Sequence, residues 1–195
     1  MLRIGVLSLQ GSVEEHVKML SGIEGIIPCK VKFREDVENI SGIVLPGGES
    51  TTIGKLIREF GIAESLKERI RKGMPVWGTC AGMILLAKEI VNEDCVHLGV
   101  MDISVKRNAY GSQLDSFTEI CTIPEVSEKP IPLVFIRAPW VVKTKENVKV
   151  LATINEHIVA VRQENMLATS FHPEMTDDLS FHKYFAEMVR NKGTV

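Results

Sequence analysis

Residues 74–88, with the sequence MPVWGTCAGMILLAK, join a short apolar run, a turn with two glycines and a second apolar run with helical spacing. The run at residues 74–77 predicts a strand, and residues 83–88 predict a helix that begins directly after the turn. A strand that passes through a tight turn into a helix is the repeating unit of α/β proteins. This stretch therefore predicts a parallel sheet with a sharp turn at its carboxyl edge.

The preceding sequence repeats the same alternation of strand and helix. Apolar runs at residues 2–9, 26–33 and 42–45 predict strands, and a stripe of Val13, Val17 and Leu20 predicts a helix after the first of them. Helical patterns also follow Ser50, and the last helix begins near Phe181. We therefore predict a central, mostly parallel sheet with helices on both faces.

The middle of the chain has a different pattern. Residues 98–105, 117–123 and 131–136 are strand-like, with no helical pattern between them. Residues 148–154 and 158–161 flank a turn sequence, and residues 166–171 form one more strand-like run. We expect the first three of these segments to be antiparallel additions to the sheet, and residues 148–161 to form a hairpin.

Length and composition favour one domain over residues 1–195 and exclude several classes of protein. Lys and Arg total 23 against 25 Asp and Glu, so no excess of positive charge favours nucleic acid or a membrane surface as a partner. No apolar run approaches the roughly 20 residues of a membrane span, and no signal peptide is evident. The four cysteines form no C-x-x-C pair, so neither a metal site nor a disulfide is predicted. We expect a cytoplasmic protein without a cofactor.

The turn at residues 78–82, GTCAG, carries the strongest candidate for chemistry. Its strand-turn-helix context is that of a nucleophile elbow with Cys80 as the nucleophile. The thiol also lies at a helix N-terminus, where partial positive charge favours the thiolate. A buried packing cysteine between two turn glycines is the competing interpretation.

A cysteine nucleophile needs a base, and residues 171–174, FHPE, supply one in His172. Pro173 favours an extended backbone at His172, which places the imidazole at the carboxyl edge of the sheet. Cys80 leaves its strand at that edge too, and Glu174 can orient the imidazole. The other histidines rank lower, since His16 and His182 fall within amphipathic helices and the remaining two in loop or turn sequence.

A third motif, LPGGESTT at residues 45–52, lies between a strand and a helix. Adjacent glycines let backbone N–H groups turn toward a ligand, as in an oxyanion hole. A Walker phosphate loop would need Lys after its second glycine, whereas this chain has Glu49 there. A plain turn with Ser50 as the helix cap is the alternative interpretation.

The three motifs together resemble the class I, or triad, glutamine amidotransferases. Within them the chain is most similar to the glutaminase subunits of pyridoxal 5'-phosphate synthases. The blocks that carry this resemblance are LQG at 9–11, PGGESTT at 46–52, GTCAG at 78–82, RN at 107–108, DSF at 115–117, FIRAP at 135–139 and SFHPE at 170–174.

The resemblance implies a three-layer, flavodoxin-like fold and hydrolysis of L-glutamine to glutamate and ammonia. Cys80 would form a glutamyl thioester, and His172, oriented by Glu174, would activate the thiol and protonate the ammonia. The resemblance places the oxyanion hole at Gly48 and Ala81. It implies that the glutamine pocket is lined by Gly47, Gly48, Glu49, Ser50, Arg107, Ile136 and Arg137.

The same resemblance implies a separate synthase subunit as the acceptor of ammonia. Gly111-Ser112-Gln113 stands where the family pattern has Gly-Arg-Gln, which places a role of that arginine in doubt here. Two alternatives stay open. One is a glutaminase for another acceptor, such as imidazole glycerol phosphate synthase, and the other is a non-catalytic flavodoxin-like thiol protein.

Overall fold

The computed structural model describes residues 1–108 and 116–192. In these residues the strands are β1 (Leu2–Leu7), β2 (Ile26–Val31), β3 (Gly42–Leu45), β4 (Val76–Thr79), β5 (Ala87–Ile90), β6 (Met101–Lys106), β7 (Ser116–Ile123), β8 (Ser127–Ile136), β9 (Trp140–Thr144), β10 (Lys149–Ile154), β11 (His157–Gln163) and β12 (Met166–Thr169). The helices are α1 (Val13–Ser21), α2 (Arg34–Glu38), α3 (Ser50–Glu59), α4 (Ile62–Arg71), α5 (Ala81–Leu86) and α6 (Ser180–Asn191). A 3₁₀ turn, Pro173–Met175, lies between β12 and α6.

The central sheet has the strand order β2-β1-β3-β4-β12-β11-β9-β6-β5, and β10 pairs with β11. The run from β2 to β12 is parallel, as predicted. Antiparallel pairing begins where β11 meets β12 and continues through β9 to β6. The fold is thus a mostly parallel sheet with antiparallel additions, of the predicted flavodoxin-like class.

The core lies on both faces of this sheet. Strand β4 illustrates this, because its adjacent residues Val76 and Trp77 point to opposite faces of the sheet and are both fully buried. Val76 packs into a cluster with α3, α4 and α5, whereas Trp77 packs into a second cluster with α1 and α6. Helices therefore cover both faces, which gives the three predicted layers.

The structure corrects the prediction for two of the middle segments. Residues 117–123 and 131–136 do not join the central sheet, because β7 and β8 pair only with each other as a two-stranded ribbon in the described part of the chain. The ribbon packs its apolar face on the second cluster, where Phe135 lies edge-on against Phe171 with ring centroids 5.7 Å apart. Burial of that face holds the ribbon across the carboxyl edge of the sheet, without strand pairing.

Other boundaries differ by a few residues. The helix after the elbow ends at Leu86 and the chain continues as strand β5, although a helix was expected as far as residue 88. Strand β9 and the short helix α2 were not predicted. Pairing of β5 with β6 explains the first difference, because a tertiary partner outweighs local helix propensity. Among the residues described, no helix is long and apolar enough to cross a membrane.

Candidate active site

Cys80 lies on a strained turn between β4 and α5. Its backbone has φ 48° and ψ −103°, a region that L-residues rarely occupy. A Cβ on Gly78 would lie 2.4 Å from the carbonyl carbon of Gly82, and one on Gly82 would lie 2.1 Å from the carbonyl oxygen of Leu45. The turn therefore requires glycine at both positions, and the G-x-C-x-G spacing follows from backbone contact alone.

The neighbouring strand holds this turn in place. Thr79 and Thr169 are paired in the register of β4 with β12, and the N–H of Cys80 donates to the carbonyl oxygen of Thr169 at 2.8 Å. The side chain of Cys80 is almost buried, with its Sγ 3.9 Å from the carbonyl oxygen of Ile136. The elbow thus places the Cys80 thiol beside the last residue of β8, and both line the cleft that is described below.

His172 and Glu174 reach the same edge from the end of β12. The N–H of His172 donates to the carbonyl oxygen of Val134 at 2.8 Å, which ties this segment to the ribbon. Nδ1 of His172 lies 2.8 Å from Oε1 of Glu174, and Cys80 is close enough to the imidazole to raise its pKa. The expected meeting of thiol, imidazole and carboxylate occurs because β4 and β12 are adjacent.

The three groups are strongly coupled. Burial disfavours a charged imidazole, but the hydrogen bonds with Cys80 and Glu174 outweigh it and raise the pKa of His172 to about 10. Burial also opposes a charged carboxylate, yet the nearby His16 and the hydrogen bonds from His172 and Ser12 hold the pKa of Glu174 at about 2. At neutral pH the site therefore contains a protonated imidazole between a carboxylate and the sulfur.

The loop before α3 packs directly on the imidazole. A Cβ on Gly47 would lie 2.4 Å from Cε1 of His172, and one on Gly48 would lie 2.4 Å from Oε1 of Gln10. The same Gln10 oxygen accepts a hydrogen bond from the N–H of Glu49 at 2.8 Å. Gln10 was not predicted as a site residue, and its place directly after the first apolar run was the signal that could have identified it.

Glu49, and not Ser50, caps helix α3. Its carboxylate accepts hydrogen bonds from the N–H groups of Thr51 and Thr52, at 3.1 and 2.7 Å. Partial burial opposes the charge, but these bonds and that from the Thr52 hydroxyl outweigh it and lower the pKa of Glu49 to about 2. A fixed negative charge therefore stands at the rim of the cleft.

The cleft has a volume of about 290 Å³ and gathers most of the residues expected from the resemblance. Its walls comprise Gln10, Gly48, Glu49, Ser50, Cys80, Ala81, Ile84, Arg107, Asn108, Ile136, Arg137, Pro139 and His172. Of the expected site residues, Gly47 and Glu174 lie outside these walls, the first against His172 and the second behind it. Ser50 Oγ is buried with no hydrogen-bond partner in the described chain, so the cleft offers an unused polar atom.

Arg107 and Arg137 bring positive charge to this cleft. Arg107 is held by two carboxylates, with Nη2 3.2 Å from Glu49 and Nη1 2.9 Å from Glu93. Arg137, which also lines the cleft, has a left-handed backbone with φ 43°. Residues of both signs therefore line the walls, which suits a ligand that carries both charges.

Two buried histidines behind the site were ranked low from the sequence. His16 Nε2 lies 3.4 Å from Oε2 of Glu174, and its Nδ1 lies 2.9 Å from Nε2 of His182. Both side chains are fully buried. The available signal was that His16 lies three residues after Val13, on the apolar face of α1, where a polar side chain must find a partner.

Residues 111–113 and Asp115, parts of the family pattern, lie outside the described residues. Within residues 1–108 and 116–192, no group of three or more His, Cys, Asp or Glu side chains is arranged to hold a metal ion.

Comparison with protein families agrees with this arrangement. The SNO glutamine amidotransferase family matches residues 6–191 of the chain. Two similar proteins are named pyridoxal 5'-phosphate synthase subunit PdxT. The protein from Ruminiclostridium cellulolyticum is 58% identical, with 97% of this chain and 100% of the relative covered. The protein from Clostridium botulinum is 53% identical, with coverage of 98% and 100%.

Solved structures show the same fold. A crystal structure described as a glutamine amidotransferase superposes with a TM-score of 0.89 at 44% identity, covering 96% of this chain and 98% of that one. PurLQS from Thermotoga maritima gives a TM-score of 0.67 at 18% identity, covering 98% and 99%. The second likeness supports the fold alone.

Proposed function

The chain belongs to the SNO glutamine amidotransferase family, and from this premise we propose that it is the glutaminase subunit of a pyridoxal 5'-phosphate synthase. It hydrolyses L-glutamine to L-glutamate and ammonia and delivers the ammonia to a separate synthase subunit. The names of relatives that are more than half identical over their full length support this acceptor over imidazole glycerol phosphate synthase. Residues 1–195 act as one glutaminase domain, in the cytoplasm.

The observation that carries the proposal is the contact of Cys80, His172 and Glu174 at one edge of the cleft. A hydrogen bond to Glu174 fixes the Nδ1 proton of His172, so that Nε2 faces the thiol. A packing cysteine would need neither a strained turn nor a buried acid–base pair. The arrangement therefore supports nucleophilic catalysis rather than a structural role for the thiol.

The reaction proceeds through a covalent thioester. The Cys80 thiolate attacks the side-chain amide carbon of glutamine, and the carbonyl π electrons move onto oxygen. When the tetrahedral intermediate collapses, the carbon–nitrogen bond breaks and the imidazolium of His172 gives its proton to the departing ammonia. Neutral His172 then removes a proton from water, which attacks the thioester and releases glutamate and the thiolate.

Backbone N–H groups stabilise the oxyanion of both tetrahedral intermediates. Ala81 is the first residue of α5, and its N–H has no acceptor within the helix because it belongs to the first turn. Gly48 also lines the cleft. The N–H groups of Ala81 and Gly48 would donate to the negative charge that develops on the former carbonyl oxygen.

The charged walls select zwitterionic glutamine. Arg107 and Arg137 provide guanidinium groups for the α-carboxylate, and ionised Glu49 provides an acceptor for the α-ammonium group. The remaining polar partner is Ser50, whose hydroxyl is otherwise unpaired. Gly47 contributes by letting the loop approach the imidazole, and Ile136 lies over the thiol.

A labelling experiment tests the proposal. The protein is mixed with the synthase subunit, its sugar phosphate substrates and glutamine labelled with ¹⁵N in the side-chain amide. We expect the label in the pyridine nitrogen of pyridoxal 5'-phosphate, and no product from the Cys80→Ala variant unless ammonium is added. Labelled ammonia without labelled product would leave the glutaminase in place but refute this acceptor, and no ammonia release would refute both.

A further inference from the structure

The buried pair His16 and His182 takes no part in the proposed reaction, yet it lies directly behind the catalytic carboxylate. Glu174 Oε1 accepts hydrogen bonds from Ser12 Oγ at 2.6 Å and from His172. Its second oxygen, Oε2, is buried with no hydrogen-bond partner in the described chain, and His16 Nε2 lies 3.4 Å from it. A buried carboxylate oxygen with so little support needs a donor to keep its position.

The protonation of His16 can be assigned from its neighbours. If Nδ1 carried the proton and donated to His182 Nε2, the lone pair of His16 Nε2 would face the Glu174 carboxylate. The proton of His182 would then lie on its own Nδ1, which is buried without a partner. This arrangement leaves one buried donor unpaired and sets a lone pair against a negative charge, so it is unfavourable.

The opposite tautomers avoid both costs. His182 Nε2–H donates to His16 Nδ1 at 2.9 Å, and His16 Nε2–H points between Thr79 Oγ1, at 3.2 Å, and Glu174 Oε2. The unpaired atom is then an acceptor, Nδ1 of His182. Burial keeps both rings neutral and lowers the pKa of His16 and, to about 3, that of His182.

We propose that His16 is a positioning residue for the triad, which holds the Glu174 carboxylate through a donor directed at Oε2, and that His182 fixes the tautomer of His16 that supplies this donor. The series of contacts then runs from His182 through His16 and Glu174 to His172 and Cys80. His16 and His172 both donate to this carboxylate, so the rear donor acts by position: without it Glu174 can shift, which weakens its hold on the imidazolium at the front. This role rests on the proposed function, because Glu174 matters for turnover only if His172 acts as acid and base.

A matched pair of variants separates positioning from packing. The amide nitrogen of Gln reaches about as far as Nε2 of His, so His16→Gln keeps a donor toward Glu174. The amide of Asn reaches only as far as Nδ1, so His16→Asn keeps an acceptor for His182 and loses that donor. Glutamine hydrolysis is measured with the full chain and the synthase subunit, with kcat and KM determined separately.

We expect kcat of His16→Asn to fall about ten- to a hundred-fold, the effect of one hydrogen bond to a charged group, with KM unchanged. His16→Gln should recover most of that loss. Equal losses in both variants would show that His16 only fills space, and full activity of the Asn variant would refute the role outright. If His16→Asn fails to fold, His182→Phe against His182→Gln tests the same series, since only Gln can still donate to His16 Nδ1.

The pH dependence of Cys80 alkylation gives a readout that needs no glutamine. Iodoacetamide labelling of the Cys80 peptide is followed by mass spectrometry, with exposed Cys95 as the internal reference. The groups that act on His172 and Glu174 are Cys80, His16 and Ser12, and Glu15 acts on His16 at longer range.

A weaker hold on the imidazolium stabilises the thiolate less, so the acid midpoint of labelling should rise by about one pH unit in His16→Asn. His16→Gln should keep the original midpoint, and an unshifted Asn midpoint would refute the coupling. If the unmodified protein does not hydrolyse glutamine while these profiles still differ, the glutaminase proposal fails and the positioning of the triad by His16 stands.

Discussion

Gly47 lies against the imidazole of His172 so closely that a Cβ at position 47 would come within 2.4 Å of Cε1 and 3.0 Å of Nδ1. The same Cβ would lie 3.5 Å from the Cβ of Cys80, an ordinary contact. The loop before α3 therefore restricts the position of the His172 ring more tightly than that of Cys80. A side chain at position 47 would therefore displace the His172 ring and leave Cys80 in ordinary contact.

Gly47→Ala should consequently reduce kcat for glutamine hydrolysis by about a hundred-fold, because a displacement of the order of 1 Å misaligns the base. The control is Gly22→Ala, where a Cβ would lie 3.4 Å from the carbonyl oxygen of Met19 and should be tolerated. Steady-state rates and thermal unfolding of both variants check this. Normal turnover by Gly47→Ala would show that the loop moves away without cost.

Cys80→Ala should lower glutamine hydrolysis at least about a thousand-fold, because no other group in the cleft can form the thioester. The free energy of unfolding should change by less than about 1 kcal/mol, since the turn keeps its glycines and its hydrogen bond to β12. Ammonia release and urea unfolding measure the two effects. Cys95→Ala, which changes an exposed thiol, is the control, and ammonia release near the normal rate from Cys80→Ala would overturn the assignment.

Arg107→Gln should raise KM for glutamine about ten- to a hundred-fold with a smaller effect on kcat, because it removes a charged partner of the substrate carboxylate. Arg107 also contacts Glu93 at 2.9 Å, so the variant breaks an ion pair as well. Glu93→Gln separates the two effects. It leaves the guanidinium in the cleft and should change KM by less than about two-fold, since partly exposed ion pairs contribute little. Equal KM values for both variants would exclude a substrate role for Arg107.

His182→Gln should make stability less dependent on pH between about pH 6.5 and 5. Burial lowers the pKa of His182 in the folded chain to about 3, so in this range the unfolded chain binds a proton there that the folded chain does not. Stability is therefore lost as pH falls, by up to about 1.4 kcal/mol per pH unit. His172, whose folded pKa is raised to about 10, changes stability mainly above pH 6.5, because below that pH both the folded and the unfolded chain hold its proton. Urea unfolding at several pH values measures the slopes, and identical slopes would contradict the prediction.

The sequence alone predicted the parallel sheet, the elbow at Cys80 and the base at His172, because each depends on local order. Apolar runs set the strands, two glycines set the turn and Pro173 sets the direction of the histidine. The family resemblance added the pocket residues, most of which line one cleft. Such features lie within a few positions of each other along the chain, where backbone geometry limits the choices.

Only the tertiary structure decided which separate segments meet. The ribbon of β7 and β8 is separate from the central sheet, because its apolar face is buried against Phe171 and the residues around it. The alternation of apolar and polar residues along one strand cannot specify which surface its apolar face will pack against. Gln10 and His16 joined the site for a similar reason, since each finds its partner 39 or more residues away. Local sequence specifies what an element is, whereas burial across the sheet specifies what it touches.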